Sequence, residues 1–195
     1  MQYWPQLPAT APRHQSDRAQ RFGRWLLGQL GWSINGELPA VPKFVVAVAP
    51  HTSNWDFVVA MAASLALGVK ISFLGKHSIF VWPLRSWLLR WGGIPVRRDS
   101  AHGVVTQIVA EFQQQPQLIL GVAPEGTRRK VSQYRSGFWQ IAKQAQVPIQ
   151  LLGLDFASKQ LVFGPVMLPG ESFEQDCAQM RLFFQQMQAK NPEFA

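Results

Sequence analysis

From residue 43 to residue 155, short apolar runs of strand length alternate with stretches of helical periodicity, and few architectures accept that order. Phe44-Val45-Val46-Ala47-Val48 is β-branched and continuous, as a strand buried in a sheet is. It leads through Ala49-Pro50-His51-Thr52-Ser53-Asn54-Trp55-Asp56 into an apolar helical pattern from Phe57 to Leu67. The spacing predicts further strands at 71–74, 94–96, 118–122, 148–155 and 160–163, with another short one at 165–168. It predicts helices at 17–32, 55–67, 103–114, 136–146 and 173–189, and helical turns on either side of Pro83 within 77–91. Strands alternating with helices specify an α/β fold: one layer-type domain, its largely parallel sheet flanked by helices. The short spacing from Asp155 to Phe163 predicts an antiparallel hairpin at one edge.

The chain is expected to divide into an N-terminal part, 1–32, and a main domain, 33–195. The first part is an irregular Pro-containing arm followed by an amphipathic helix at 17–32. Phe22, Trp25, Leu26, Gln29 and Leu30 form one stripe of that helix, with Arg18, Arg21 and Arg24 around it. Such a helix suits a lipid interface or the cover of a core, and the two uses are compatible.

In open α/β sheets, reactive groups collect beyond the carboxyl ends of strands. Three polar clusters follow predicted strands here: His51 to Asp56, Arg97-Arg98-Asp99, and Pro124-Glu125-Gly126-Thr127-Arg128. Ser53 or Asn54 is the natural N-cap of the helix after the first cluster. A tight turn there brings the Asp56 carboxylate to the His51 imidazole, giving an oriented base. Read singly, His51 closes a loop and Asp56 favours a helix dipole. A guanidinium fork suits a phosphate, and Gly126 lets backbone N–H groups approach one.

Charge narrows the partners. The net charge is +8, and residues 1–100 hold eleven Lys and Arg against four Asp and Glu. A basic half implies an anionic partner, and eight tryptophans favour a water–lipid boundary. No apolar run is long enough to span a bilayer, and the N-terminus does not read as a signal peptide. The single Cys177 excludes a disulfide framework, and no metal site or cofactor is expected.

Taken together, the three clusters resemble blocks of the glycerolipid acyltransferase family, typified by the 1-acyl-sn-glycerol-3-phosphate acyltransferases. His51-Thr-Ser-Asn-Trp-Asp56 is similar to its first block, a His and an Asp separated by four residues. Gly92-Gly93-Ile94-Pro95-Val96-Arg97-Arg98 resembles the second, with Arg98 at the basic position. Pro124-Glu125-Gly126-Thr127-Arg128 resembles the third, with Ala123 in place of its aromatic residue. Val147-Pro148-Ile149 resembles the fourth.

The resemblance implies acyl transfer to a lysophospholipid hydroxyl, the acceptor 1-acyl-sn-glycerol-3-phosphate, in phospholipid biosynthesis. The donor is an acyl thioester of coenzyme A or acyl carrier protein, a co-substrate. His51 would be the base and Asp56 its orienting carboxylate, while Arg98, Glu125, Gly126, Thr127 and Arg128 would hold the acceptor. The Trp-rich 79–91 segment is a candidate wall for the acyl chain. The expected location is cytoplasmic, peripheral on an anionic membrane face, with no nucleic-acid partner. Two other classes stay open: a non-catalytic basic module binding anionic lipid or nucleic acid, and a hydrolase directing the same His–Asp base at water.

Overall fold

The computed structural model describes residues 4–14, 16–96 and 101–194, with the backbone alone at 101 and 102. Within these residues seven strands form one sheet: β1 (Ser33–Asn35), β2 (Lys43–Ala49), β3 (Ser72–Lys76), β4 (Gly93–Val96), β5 (Leu118–Val122), β6 (Ile149–Asp155) and β7 (Gln160–Met167). Their spatial order is β1-β7-β6-β2-β5-β3-β4. Every neighbouring pair is parallel except β6 and β7. Among the described residues six α-helices surround the sheet: α1 (Asp17–Leu30), α2 (Asn54–Leu67), α3 (Leu84–Arg90), α4 (Ala101–Gln114), α5 (Gly137–Ala145) and α6 (Phe173–Phe184). The expected α/β class, the largely parallel sheet and the N-terminal helix are all present.

Side-chain alternation along β2 sends its residues to opposite faces. Val45, Ala47 and Ala49 join α4, α5 and α6 through Ile108, Phe112, Ile141, Ala142, Met180 and Phe184. Phe44 and Val46 join α1 and α2 through Leu27, Val59, Ala62 and Ala66 on the other face. The arm before α1 belongs to this second layer, with Ala11 buried and Trp4 and Leu7 packed against it. α1 and α2 meet closely: a Cβ added at Gly23 would lie 2.5 Å from the Ala66 nitrogen. The second half of α2, Ala62 to Leu67, is buried and apolar almost all round, while its first turns leave Trp55, Phe57 and Val58 exposed.

Three departures from the sequence expectation have local causes. β1 was not anticipated; its three residues pair with Gln160, Leu161 and Val162 of β7, too few to leave a periodic signal. The antiparallel hairpin therefore lies one strand inside the edge. The expected break between 163 and 165 is a bulge within β7: Leu152 pairs with Phe163 and Gln150 with Val166, so the extra residue falls at Gly164-Pro165. Pro165, without an N–H, sits where the ladder is already interrupted, beyond the stretch that pairs with β1. The last helix stops at Phe184 because the chain is drawn to the end of β6. There Asp155 Oδ1 accepts from the Gln188 N–H at 3.0 Å and Phe156 N–H donates to the Gln188 carbonyl at 2.9 Å.

Candidate active site

β2 and β5 are adjacent and parallel, yet the loop after β2 leads to α2 on one face and the loop after β5 leads toward α5 on the other. Diverging loops leave a crevice beyond the carboxyl ends of the two strands. His51 on the loop after β2 and Glu125 on the loop after β5 meet there. The second basic cluster follows β4, but Arg97 and Arg98 lie outside the described residues, so the Arg98 assignment has no geometry to set beside it.

The α2 N-terminus builds the base. Ser53 is the N-cap, and its Oγ accepts from the Trp55 N–H at 3.1 Å. Asp56, third in the helix, completes a capping box by accepting the Ser53 N–H at 2.7 Å. The same oxygen, Oδ2, accepts from the Thr52 N–H at 2.7 Å and from His51 Nδ1 at 3.0 Å. The other oxygen accepts from Ser53 Oγ at 2.8 Å. Asp56 is 2% exposed. Burial raises its pKa, but the bonds from His51 and from the Ser53 N–H and hydroxyl outweigh that and hold it below the usual carboxylate value. A carboxylate held ionised on Nδ1 places the imidazole proton there and leaves Nε2 as the basic atom.

Glu125 supports the loop from behind. Both its oxygens accept from the His51 backbone N–H, at 3.0 and 3.2 Å. Burial pushes its pKa up to about 6, against the pull of the His51 N–H and with the nearby Asp56 charge adding to the rise. Gly126 follows at φ +65°, and a Cβ there would stand 2.9 Å from Arg135 Cγ. The turn thus requires glycine for its conformation and for room. Its N–H donates to the Ala123 carbonyl at 3.1 Å, and the Arg135 N–H returns to the Pro124 carbonyl at 2.8 Å. Arg128 and Arg129 are exposed at the rim.

From this crevice a cavity of about 700 Å³ runs between α2 and the sheet. His51, Asp56, Gly126, Thr127, Arg128 and Arg129 line its polar end. Phe57, Met61, Leu67, Val46, Val48 and Leu152 line the apolar length, which reaches Ile34, Leu161 and Phe163 below β1 and β7. No residue of 79–91 contributes, so the Trp-rich segment is not the cavity wall. It lies on the surface instead, with Trp82 90% exposed and Ile79, Val81, Leu84, Trp87 and Leu89 also exposed. Apart from Arg98, every sequence-assigned site residue borders this crevice or its supporting loop. Sequence reasoning missed Arg129 at the rim and Asn191, which reaches the His51 loop from the far end of the chain.

No curated protein matches this sequence. Among solved structures, the chain is similar to the crystal structure of the 1-acyl-sn-glycerophosphate (LPA) acyltransferase PlsC from Thermotoga maritima. Identity is 18% and the TM-score 0.64, over 86% of this chain and 76% of that one. That likeness extends to the fold. A family model described as Acyltransferase matches residues 36–153, more than half the chain, from β2 through α2 and β5 into β6. Both the His51–Asp56 pair and the Glu125–Arg128 loop fall inside the matched segment, and the chain belongs to the acyltransferase family.

Proposed function

We propose that this enzyme moves a fatty acyl group from an acyl thioester, carried by coenzyme A or acyl carrier protein, to the free hydroxyl of a lysophospholipid, with 1-acyl-sn-glycerol-3-phosphate as acceptor. The observation that carries the proposal is an oriented base opening onto a long apolar cavity whose mouth is flanked by guanidinium groups. The cavity suits an acyl chain, and the rim suits a phosphate.

In this reading His51 Nε2 takes the proton from the acceptor hydroxyl as its oxygen attacks the thioester carbonyl. The tetrahedral adduct collapses with cleavage of the C–S bond, and the imidazolium returns the proton to the departing thiolate. Asp56 stabilises the imidazolium meanwhile, as the buried carboxylate of a Ser-His-Asp triad does. The nucleophile belongs to the substrate, so no acyl-enzyme is needed. The N–H groups of His51, Thr52 and Ser53 are already engaged by Glu125 and Asp56, and that of Gly126 by Ala123. This directs attention to the N–H groups of Thr127 and Arg128 for the oxyanion.

The test is mass spectrometry of lipids after incubation with mixed lysophospholipids and one labelled acyl-CoA, repeated with acyl carrier protein as donor. Label in a diacyl phosphatidic acid is the expected result. Free fatty acid at equal rates with and without acceptor would replace the transferase by a hydrolase. Within the same assay, Arg128→Ala and Arg98→Ala are expected to raise the acceptor KM about tenfold or more, because a charge-assisted contact contributes roughly 1.5–3 kcal/mol. The donor KM should move little. Equal weakening of both substrates would remove these residues from the phosphate site.

The same reading brings the enzyme to an anionic membrane face. Among the described residues no helix is long and apolar enough to cross a membrane. α1 turns Leu27 into the core and Phe22 and Trp25 outward, and Arg85 and Arg90 accompany the exposed 79–89 side chains. Exposed Trp beside Arg supports interfacial binding, with each cation contributing about 1 kcal/mol near an anionic leaflet. Removing residues 1–32 would strip Leu27, Ala11 and Trp32 from the core, so point variants make the better test. Phe22→Glu/Trp25→Glu and Trp82→Glu/Trp87→Glu are each expected to cut sedimentation with anionic liposomes. Binding unchanged in both folded variants would exclude these surfaces.

A further inference from the structure

The segment after α6 returns to the candidate active site and touches the loop that carries the base. Asn191 Nδ2 donates to the Thr52 carbonyl at 3.1 Å, and the Asn191 N–H donates to Thr52 Oγ1 at 3.2 Å. One residue earlier, Lys190 Nζ sits 4.5 Å from the centre of the Trp55 ring, in the first turn of α2. The approach is anchored from behind. Ala189 is buried, the Gln188 backbone is bonded to Asp155 and Phe156, and Met187 fills the space over Gly153, where a Cβ would lie 2.5 Å from its sulfur.

The Thr52 carbonyl and the Ser53 N–H belong to one planar peptide unit. Fixing its oxygen therefore fixes the direction of its N–H, and that N–H is one of the two backbone donors holding Asp56 Oδ2. We infer that Asn191 is a positioning residue for acyl transfer: its amide locks the 52–53 peptide, which aims Asp56, which in turn orients the His51 imidazole. A hydrogen bond to the carbonyl also polarises the peptide and strengthens its N–H as a donor. The relay runs Asn191 Nδ2, Thr52 carbonyl, Ser53 N–H, Asp56 Oδ2, His51 Nδ1. Asn191 lies outside residues 36–153, the segment that the family model matches. It does not line the cavity.

This inference rests on His51 acting as the base, and two readouts separate its fate from that one. Asn191→Ala removes the amide. Asn191→Asp keeps its shape and the backbone N–H but cannot donate to the Thr52 carbonyl at neutral pH. Both variants are expected to lower kcat about three- to tenfold, the size of one ordinary hydrogen bond, with both KM values held within about twofold. Independently of any substrate, the low-field proton resonance of His51 Nδ1–H is expected to shift or broaden in both variants, while Asn191 left intact beside Lys190→Ala keeps it. Variants that lose thermal stability but keep both kcat and the resonance would reduce Asn191 to a tether for the tail and overturn the inference. Wild-type protein inactive on every acceptor would remove the acyl-transfer reading, and the resonance would still decide whether the relay exists.

Discussion

His51→Ala is expected to lower turnover by about 10²- to 10⁴-fold, the usual contribution of a positioned base, with the fold preserved. The imidazole is partly open to the crevice, 24% exposed, so its removal leaves no large void. The backbone contact to Glu125 uses the His51 N–H and survives the substitution. Circular dichroism and the thermal midpoint should therefore match wild type while acyl transfer collapses. Substrate binding should persist, because the apolar cavity and the arginine rim are untouched. A folded His51→Ala protein with near-normal transfer would show that another group accepts the hydroxyl proton.

Asp56 is expected to give two different losses depending on what replaces it. In Asp56→Asn the amide oxygen is drawn to the Oδ2 position, where three N–H groups converge. The amide nitrogen then faces Ser53 Oγ, a hydroxyl that can turn from donor to acceptor. Nδ1 of His51 thus still meets an acceptor, and the tautomer is kept. What disappears is the negative charge beside the imidazolium, worth about one to two orders of magnitude in kcat. Asp56→Ala loses the acceptor altogether, leaves the Thr52 and Ser53 donors in the buried loop without it, and breaks the capping box. It should approach His51→Ala in rate and cost about 2–4 kcal/mol of stability. The folded-state pKa of Asp56 is lowered, so its charge stabilises the fold above the unfolded value of 3.8 and the benefit is lost as pH falls through the folded value. The stability gap between wild type and Asp56→Asn should accordingly close in acid. Equal rates for Asp56→Asn and Asp56→Ala would mean that charge, not acceptor geometry, carries the whole effect.

The parts legible in the sequence were those that local pattern dictates. Apolar runs located β2, β5 and β6, because strands flanked on both faces carry few polar residues to break them; Gln150 is the buried exception within β6. The capping signal before α2 fixed where the helix begins, and with it the closeness of His51 and Asp56. Glu125 was legible as a site residue, but not its attachment to the His51 backbone, since no spacing rule links positions 74 residues apart. Strand order was equally silent: β5 enters the sheet between β2 and β3 only when the whole domain is assembled. Which wall of the domain holds the cavity depends on which face of β2 meets α2, and a run apolar on both faces does not say. Asn191 sits in a polar tail with no periodicity, and its partner is a backbone carbonyl, which leaves no trace in a sequence.

β6 has β2 on one side and β7 on the other, and six of its seven residues are buried. A fragment cut to the family-matched segment would end at Gly153 and leave β7 behind. Its last strand would then present an unpaired, nearly uncharged ladder to solvent, the template on which chains add to one another. β7, which follows the family-matched segment and lends Leu161 and Phe163 to the cavity wall, is thus also what keeps that edge of β6 paired. A shortened version for biochemical work therefore has to retain β7, so that the β6 ladder stays paired.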